Sequence, residues 1–516
     1  MPSRSVLIFG FIALLLPSAW LAWNYRDMPQ FGEMHDDSLY YVGAKGLASG
    51  EGYKILNLPS QPYQTKYPPG YPLLLSLAWR LEPHFPENLR IAMLLNWLVF
   101  PVYVALAYLW LRRTSRPILT TAIVALNPYV VLFSTYLMSE MLFGTLILAA
   151  LLLSRRVLLA ALAASAAYLV RTGGVVMAAS GFLCLWLENR HKDAMQFAGV
   201  MAVFVVGWTV WAKVHQSPGT GIVTLYYANY LGYQLANVSM AELPLFVWKN
   251  LDGILWGTGS LFVPRIFDSQ LIKILAQTLG VAAFVGVWRM WPRPEIRPFV
   301  FFSLPYLALL AVWHFPPNER FLLPLFPLLA AGFVAEIERF LKGVRAGFGH
   351  KDRSQRVVAY VIAGVFLSII GGSAVAQWVT LTKMMPVMIE QFRVRTVAQR
   401  EAYDWIQQNL PSDANVMAAM DPLLYLYTGR HSCQLVVPTI YWYREDPKGA
   451  LQHYANLVAY AREQKMGYLY LTDKDYARDM TEEDHREVMR TLKENKGLTL
   501  LKQFGNGGVY RIGEDN

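Results

Sequence analysis

Charged residues and cysteines are both scarce in this sequence of 516 residues. Only 16% of the residues are charged, 55% are hydrophobic and the mean hydropathy is +0.29, which a soluble domain of this length seldom reaches. The two cysteines, Cys184 and Cys433, fall in a hydrophobic segment and in the C-terminal region. They argue against a disulfide framework, a cysteine metal site and redox chemistry. The composition predicts a polytopic membrane protein.

The net charge of +10 could indicate nucleic-acid binding or membrane topology. Basic residues of membrane proteins gather in cytoplasmic loops, so their positions decide between the two. Here they occur in alternate loops between hydrophobic segments, which indicates a common cytoplasmic side and no nucleic-acid partner. These basic groups are Arg112, Arg113 and Arg116; Arg155 and Arg156; Arg190 and Lys192; Arg289, Arg293 and Arg297; and the run from Arg339 to Arg356.

The fold class that we predict is a polytopic α-helical protein of the inner (plasma) membrane, with about eleven spans. Residues 6–23 come close to the ~20 apolar residues that a span requires, and no convincing cleavage site follows them. Arg4 precedes this span and predicts a cytoplasmic N-terminus. The further predicted spans are 89–111, 118–137, 139–153, 157–170, 174–187, 195–214, 271–288, 299–314, 321–338 and 357–380.

The composition changes near residue 385 and predicts two domains. Residues 1–384 form the predicted transmembrane catalytic domain, with external loops at 24–88 and 215–270. Residues 385–516 form a small α/β domain, which the odd number of spans places outside the cytoplasm. Its helical patterns are 396–410, 450–465 and 481–494, its short apolar runs are 415–420, 434–438 and 468–472, and its strand-like runs are 498–504 and 508–512.

The first external loop carries adjacent carboxylates, Asp36 and Asp37, and ends with Lys66-Tyr67-Pro68-Pro69. Charges held near a bilayer are costly unless they face a cavity or a partner, so they are candidates for function. A helix that begins near Asp36 would carry Leu39 and Val42 on one side and Asp37 and Tyr41 on another. This pattern suits a helix lying at the membrane interface, with its acids over a pocket.

Three further charged residues are expected on the same external side: Glu140, Arg171 and Arg320. Arg171 stands where two short spans meet, at the tip of a hairpin or within the protein. A lone loop charge is most often solvated, but the loops of Glu140 and Arg320 are too short to lift them far from the bilayer. A carboxylate and cations in one cavity suit a transfer in which a base takes a hydroxyl proton and cations hold a phosphate leaving group.

Aromatic residues are concentrated in the loop at 215–270, beginning with Tyr226 and Tyr227. They have two interpretations: a belt at the membrane interface, or the wall of a sugar or lipid site. We predict that Tyr40, Tyr67, Tyr226 and Tyr227 line a substrate pocket.

The order of these features resembles that of the GT-C membrane glycosyltransferases. It is carried by Asp36-Asp37 after the first span, Lys66-Tyr67-Pro68-Pro69 in the same loop, Ser139-Glu140 between spans, Arg171 after a short span, and Arg320-Phe321-Leu322-Leu323-Pro324 opening a late span. More narrowly, it is similar to the bacterial branch of glycosyltransferase family 39, near the protein mannosyltransferases and the aminoarabinose transferases of lipid A. The resemblance covers nearly the whole chain, including the run REAYDWIQQNLPSDANV…DPLLYLYTGR.

The resemblance implies a polyprenyl-phosphate-linked sugar as donor, a lipid, glycan or protein acceptor, and an inverting transfer on the external membrane face. Asp36 matches the family's catalytic Asp, and Asp37 stands where Glu is common, which leaves open which acid is the base. Lys66 matches a lysine near the donor phosphate, and Glu140 matches a second acidic position. Arg171 and Arg320 match basic positions that would contact the phosphate or head group.

No cofactor is required by this interpretation, although a divalent cation between the external carboxylates is an alternative. Adjacent carboxylates need further ligands, for which Glu140 and His35 are the evident candidates. A transporter or lipid-linked sugar flippase is another alternative, but transporters commonly repeat their hydropathy pattern and this chain shows no such repeat. A receptor or scaffold built around the external domain would leave the Asp36 loop unexplained.

Overall fold

The computed structural model describes residues 3–219, 221–265, 269–348, 352–477 and 480–513. The chain is mostly helical, with one small sheet near its C-terminus. It forms two compact units, each assembled from separate segments of the sequence. We call them the helical unit, Met1–Tyr25, Asn96–Trp208 and Val247–Met388, and the mixed unit, Arg26–Leu95, Thr209–Phe246 and Ile389–Asn516.

Long apolar helices are the main feature of the chain. Within the described ranges, 6 helices are long and apolar enough to cross a membrane: Arg4–Asn24, Leu89–Leu111, His191–His215, Gln270–Met290, Glu319–Phe348 and Arg353–Asn409. The shorter apolar helices are Glu140–Leu152, Val157–Val170, Thr172–Leu187 and Arg297–Ala311. Another helix, Leu243–Ser260, lies in the region predicted as an external loop. The number of spans stays a prediction.

Every predicted span contains helix, but 118–137 is not one continuous helix. It forms two helices, Pro117–Ala125 and Pro128–Phe133. Pro128 has no backbone N–H to donate to the preceding turn. The side chain of Asn127 caps the second helix by accepting hydrogen bonds from the backbone N–H groups of Tyr129 and Val130, at 3.0 and 3.3 Å. This predicted span therefore contains two helices.

The two short segments around Arg171 form helices Val157–Val170 and Val176–Leu187, joined by a 3₁₀ turn at Thr172–Val175. A Cβ atom at Gly174 would lie 2.6 Å from the backbone nitrogen of Tyr168. The turn therefore requires glycine at this position.

Basic loops of the helical unit lie around a common cavity of about 410 Å³. Arg113 and Arg155 line it together with Arg190. Arg113 Nη1 donates to the carbonyl oxygen of Glu295 and Arg190 Nη2 donates to that of Ser154, each at 3.2 Å. Loops that are distant in sequence are therefore neighbours in this unit.

The sheet of the mixed unit has four strands: β1, Val416–Ala418; β2, Tyr468–Thr472; β3, Leu498–Phe504; and β4, Gly507–Ile512. Their order is β1-β2-β4-β3, with β1 parallel to β2 and β4 antiparallel to both β2 and β3. The apolar run 434–438 forms no strand. The helices of this unit include Asp36–Ser49, Gly70–Leu81, Ile222–Ala228, Tyr230–Asn237, Asp421–Thr428, Ile440–Tyr443, Pro447–Ala455, Leu457–Glu463 and Glu482–Lys493.

One hydrophobic core joins the three segments of the mixed unit. Leu39 and Ile55 come from the first loop, Tyr227 from the second segment, and Met417 and Leu469 from the C-terminal region. The aromatic region at 215–270 is thus partly built into this core. A belt at the membrane interface does not account for Tyr227, whose ring is fully buried here.

The helix Asp36–Ser49 begins where the sequence predicted, but it is not amphipathic. Asp37 and Tyr41, expected on a polar side, are as buried as Leu39 and Val42. Trp79 donates from Nε1 to the carbonyl oxygen of Tyr41 and covers that side. Tertiary packing surrounds the first turns of this helix, so the two sides that the sequence distinguished are equally buried. Its position at the membrane interface stays a prediction.

Candidate active site

Asp36 lies at the first position of its helix in the mixed unit and is partly exposed. Tyr67 donates its phenolic O–H to Asp36 Oδ1 at 2.7 Å. Tyr67 belongs to the Lys66-Tyr67-Pro68-Pro69 turn, so this bond joins both ends of the first loop. A hydrogen-bonded, partly exposed carboxylate is held in place and can still accept a proton from a substrate.

Asp37 has a different environment from its neighbour. It is only 1% exposed, and its two oxygens accept backbone N–H bonds from Gly32, at 2.9 Å, and Ser38, at 2.7 Å. Burial raises the pKa of Asp37 to about 7, against the opposing effect of these two bonds. Asp37 thus supports the backbone around the helix start, and Asp36 is the better candidate for the base.

Lys66 is 4% exposed and lies among aromatic rings. Its Nζ lies 4.2 Å from the ring centroid of Tyr226, 5.0 Å from that of Tyr67 and 5.8 Å from that of Tyr233. The electron-rich faces of these rings attract the ammonium group. Burial lowers the pKa of Lys66 to about 8, while the nearby carboxylate of Asp36 opposes this shift.

The four predicted pocket tyrosines divide into two groups. Tyr40 packs edge-on against Tyr67, with centroids 5.1 Å apart, and Tyr226 lies against Lys66. Tyr227 instead donates its O–H to Asp421 Oδ2 at 2.8 Å and is completely buried. Tyr40, Tyr67 and Tyr226 therefore surround the acid and the lysine, whereas Tyr227 forms part of the support behind them.

Asp421 was missed by the sequence reasoning, although it opens the DPLLYLYTGR run. Its carboxylate is fully buried and has three polar partners: His35 Nε2 at 2.8 Å, Asn57 Nδ2 at 2.7 Å and the Tyr227 O–H at 2.8 Å. The dipeptide Asp-Pro is common at the N-termini of helices. No local signal therefore distinguished this residue.

The second cluster lies in the helical unit, where Glu140 is 1% exposed. Arg171 Nη1 lies 2.6 Å from Glu140 Oε1, and Arg320 Nε also pairs with this oxygen. Arg171 additionally donates to Ser139 Oγ at 3.1 Å. The side chain of Asn318 accepts the backbone N–H of Arg320 and fixes the short helix that carries it. These three charged side chains form one ion cluster.

The ten predicted site residues thus lie in two groups. Glu140, Arg171 and Arg320 contact one another in the helical unit. The remaining seven, Asp36, Asp37, Tyr40, Lys66, Tyr67, Tyr226 and Tyr227, belong to the mixed unit.

The geometry does not favour a metal ion at the acid pair. Both oxygens of Asp37 accept backbone N–H groups, and His35 is engaged with Asp421. Among the residues that the structure describes, no group of three or more His, Cys, Asp or Glu side chains is placed to hold a metal. These carboxylates therefore do not form the set of oxygen ligands that a divalent cation requires.

The fold is similar to that of ArnT from Cupriavidus metallidurans bound to undecaprenyl phosphate, with a TM-score of 0.51, 12% sequence identity and alignment over 98% of each chain. The apo state of ArnT from the same organism gives a TM-score of 0.45 and 12% identity over 92% of each chain. ArnT is a family-39 GT-C aminoarabinose transferase, so the first similarity confirms the predicted GT-C-like fold. No protein-family model and no curated protein sequence matches the chain.

Proposed function

We propose that this chain is a GT-C-type glycosyltransferase that moves a sugar from a polyprenyl-phosphate-linked donor to a hydroxyl group of a lipid, glycan or protein. The observation that carries this proposal is the pairing of Asp36 and Lys66 around Tyr67. Tyr67 hydrogen-bonds the carboxylate, and its ring lies 5.0 Å from the ammonium group. A proton acceptor and a cation in one aromatic pocket suit the transfer of a sugar away from a phosphate.

In the proposed reaction, Asp36 accepts the proton of the acceptor hydroxyl as its oxygen attacks the anomeric carbon. The bond from that carbon to the phosphate oxygen breaks on the opposite side, so the configuration inverts. The polyprenyl phosphate leaves as an anion and needs no general acid. Lys66 stabilises the charge that develops on it, and the surrounding rings keep water away and strengthen this attraction.

We further propose that Arg171 and Arg320 contact the phosphate or head group, with Glu140 as a second acidic site residue. Support comes from the side chains themselves: two guanidinium groups, whose donors suit phosphate oxygens, meet at the buried carboxylate of Glu140. The proposed reaction involves no metal ion.

The proposed topology has eleven spans in residues 1–384, a cytoplasmic N-terminus and an extracytoplasmic domain at 385–516, in the inner membrane. The basic residues around the cavity in the helical unit support a common cytoplasmic side for their loops. Cysteines introduced at Ser60 and Ser412 should react with an impermeant thiol reagent in spheroplasts, while one at Ser354 should not. Both native cysteines are buried, so background labelling should be low. The opposite labelling pattern would reject this topology.

The function is tested with the purified chain in detergent. Mass spectrometry of the co-purified lipids should detect a polyprenyl-phosphate-linked sugar. Incubation with acceptor extracts should convert it to free polyprenyl phosphate and a glycosylated product. The flippase alternative predicts that proteoliposomes move the intact lipid-linked sugar across the bilayer without forming product. That outcome would reject the transferase proposal.

A further inference from the structure

His35, the residue directly before Asp36, has an uncommon backbone conformation. Its φ is +57° and its ψ is −49°. A residue with a side chain held at positive φ costs on the order of 1–3 kcal/mol and persists only where its surroundings impose it. The carbonyl oxygen of His35 also accepts the Leu39 N–H at 3.1 Å and the Ser38 O–H at 2.8 Å. The backbone of His35 therefore sets the start of the helix and the direction of Asp36.

The side chain of His35 is anchored at both ring nitrogens. Nε2 lies 2.8 Å from Asp421 Oδ1, and Nδ1 lies 3.3 Å from the phenolic oxygen of Tyr226. With Asp421 ionised, the hydrogen-bond pattern assigns the ring proton to Nε2 and lets Tyr226 donate to Nδ1. The same Tyr226 ring lies 4.2 Å from the ammonium group of Lys66. One chain of contacts thus runs from Asp421 through His35 and Tyr226 to Lys66.

Asp421 is itself held firmly. Its second oxygen accepts hydrogen bonds from Asn57 and Tyr227. Asn57 belongs to the first loop, Tyr227 to the second segment and Asp421 to the C-terminal segment of the mixed unit. The carboxylate therefore fixes all three segments at one buried point. Because both oxygens of this buried carboxylate have donors, its hydrogen bonds favour a single arrangement of the residues around it.

We propose that Asp421 and His35 are positioning residues for sugar transfer, through which the C-terminal segment aims Asp36 and holds the ring beneath Lys66. This inference rests on the proposed function of Asp36 and Lys66. Neither residue exchanges a proton with the substrate in this scheme. A misplacement of about 1 Å at a reacting group can cost about 10²-fold in rate, so a distant carboxylate can control turnover.

The test compares Asp421→Asn, His35→Gln and the double variant with wild type, as full chains in detergent. The transfer assay follows consumption of the polyprenyl-phosphate-linked sugar. Each single variant should lower kcat by about 10–100-fold while the donor KM changes by less than about threefold. The double variant should be no slower than the slower single variant, because both changes break the same contact. Additive losses would overturn the proposal.

Asp475→Asn is the matched control. Asp475 is a partly buried carboxylate of the same unit, and it accepts hydrogen bonds from the backbone N–H and the side-chain O–H of Thr472, at 2.8 and 2.6 Å. Its replacement should lower the melting temperature without lowering kcat of the folded protein. If Asp421→Asn behaves in the same way, its role is only structural and the proposal is wrong.

His35→Gly separates positioning from stability. Glycine adopts positive φ without strain, so this variant should keep the fold while losing the anchor to Asp421. We expect a lower kcat, with a melting temperature no lower than that of His35→Gln, which loses the same anchor and keeps the strained φ. An unchanged kcat would overturn the positioning role even if Asp421→Asn does not fold. Absence of transfer by the wild type would instead reject the proposed function, so the two failures are distinguishable.

Discussion

The two clusters of charged side chains differ in how their charges are balanced. In the mixed unit, a tyrosine hydroxyl contacts the carboxylate of Asp36 and aromatic rings surround the ammonium group of Lys66. In the helical unit, Glu140 contacts two guanidinium groups directly. The opposite charges of Asp36 and Lys66 also attract each other. The first cluster thus combines two charges with hydroxyl and aromatic contacts, whereas direct ion pairs hold the second together.

This difference gives the two clusters different expected responses to mutation. Loss of a charge in the first cluster should change catalysis more than stability. Loss of one partner in a buried ion cluster leaves an uncompensated charge and should change stability first.

Asp36→Asn should produce the largest loss of activity. The amide keeps the size of the side chain but cannot take up the acceptor proton, so transfer should fall by about 10²–10⁴-fold while donor binding persists. The measurement is kcat of the purified variant together with retention of the lipid donor, followed by mass spectrometry.

Asp37→Asn is the control for this prediction, since Asp37 supports the backbone through Gly32 and Ser38. It should lower stability and retain turnover in the folded fraction. Full transfer by Asp36→Asn, with loss only in Asp37→Asn or Glu140→Gln, would move the base to another carboxylate.

Glu140→Gln should cause the largest loss of stability in the helical unit. Arg171 and Arg320 would keep two positive charges without their shared carboxylate, at a cost of about 3–5 kcal/mol in the free energy of unfolding. The measurement is the melting temperature in detergent. Glu319→Gln is a matched control: Glu319 is 6% exposed and pairs with Arg265, so its loss leaves one charge uncompensated and should lower the melting temperature less.

Arg171→Met tests whether this cluster also binds the donor. Glu140 would keep Arg320, so the loss of stability should be smaller than in Glu140→Gln. If Arg171 contacts the phosphate, donor affinity should fall as well. Unchanged donor affinity with a lowered melting temperature would remove Arg171 from the site.

The helices of this fold were largely predictable because their hydrophobic composition is a local property of the sequence. The break at Asn127-Pro128 was also encoded locally, by a capping side chain followed by a proline, but the hydrophobic pattern alone hides it. The burial of both sides of the Asp36 helix was not predictable. It depends on residues such as Trp79, which are close only after folding.

The candidate site was also predictable only where its residues are close in the sequence. Asp36, Lys66 and Tyr67 lie within one loop, so their order in the sequence already suggested a common location. Asp421 is 386 positions from His35, and no periodicity connects residues so far apart. Residue types identified Glu140 and Arg171 as charged candidates, but their direct contact follows from the packing of separate helices.

Lys66→Met should have the smallest of these effects, lowering both donor affinity and turnover. Loss of one charge-assisted contact to phosphate costs about 1.5–3 kcal/mol, or roughly 10–100-fold in the donor dissociation constant.

In the wild type, the pKa of Lys66 lies at about 8, so the ammonium group is present below that pH and is lost above it. The value of kcat/KM, which reports on the free enzyme, should therefore fall as pH rises through about 8. Lys66→Arg should remove this decrease because a guanidinium stays charged, although its planar shape should restore donor affinity only in part. Asp37→Asn should retain the decrease. A pH profile of Lys66→Arg that matches the wild type would show that another group titrates. Unchanged donor affinity in Lys66→Met would show that Lys66 does not hold the donor phosphate.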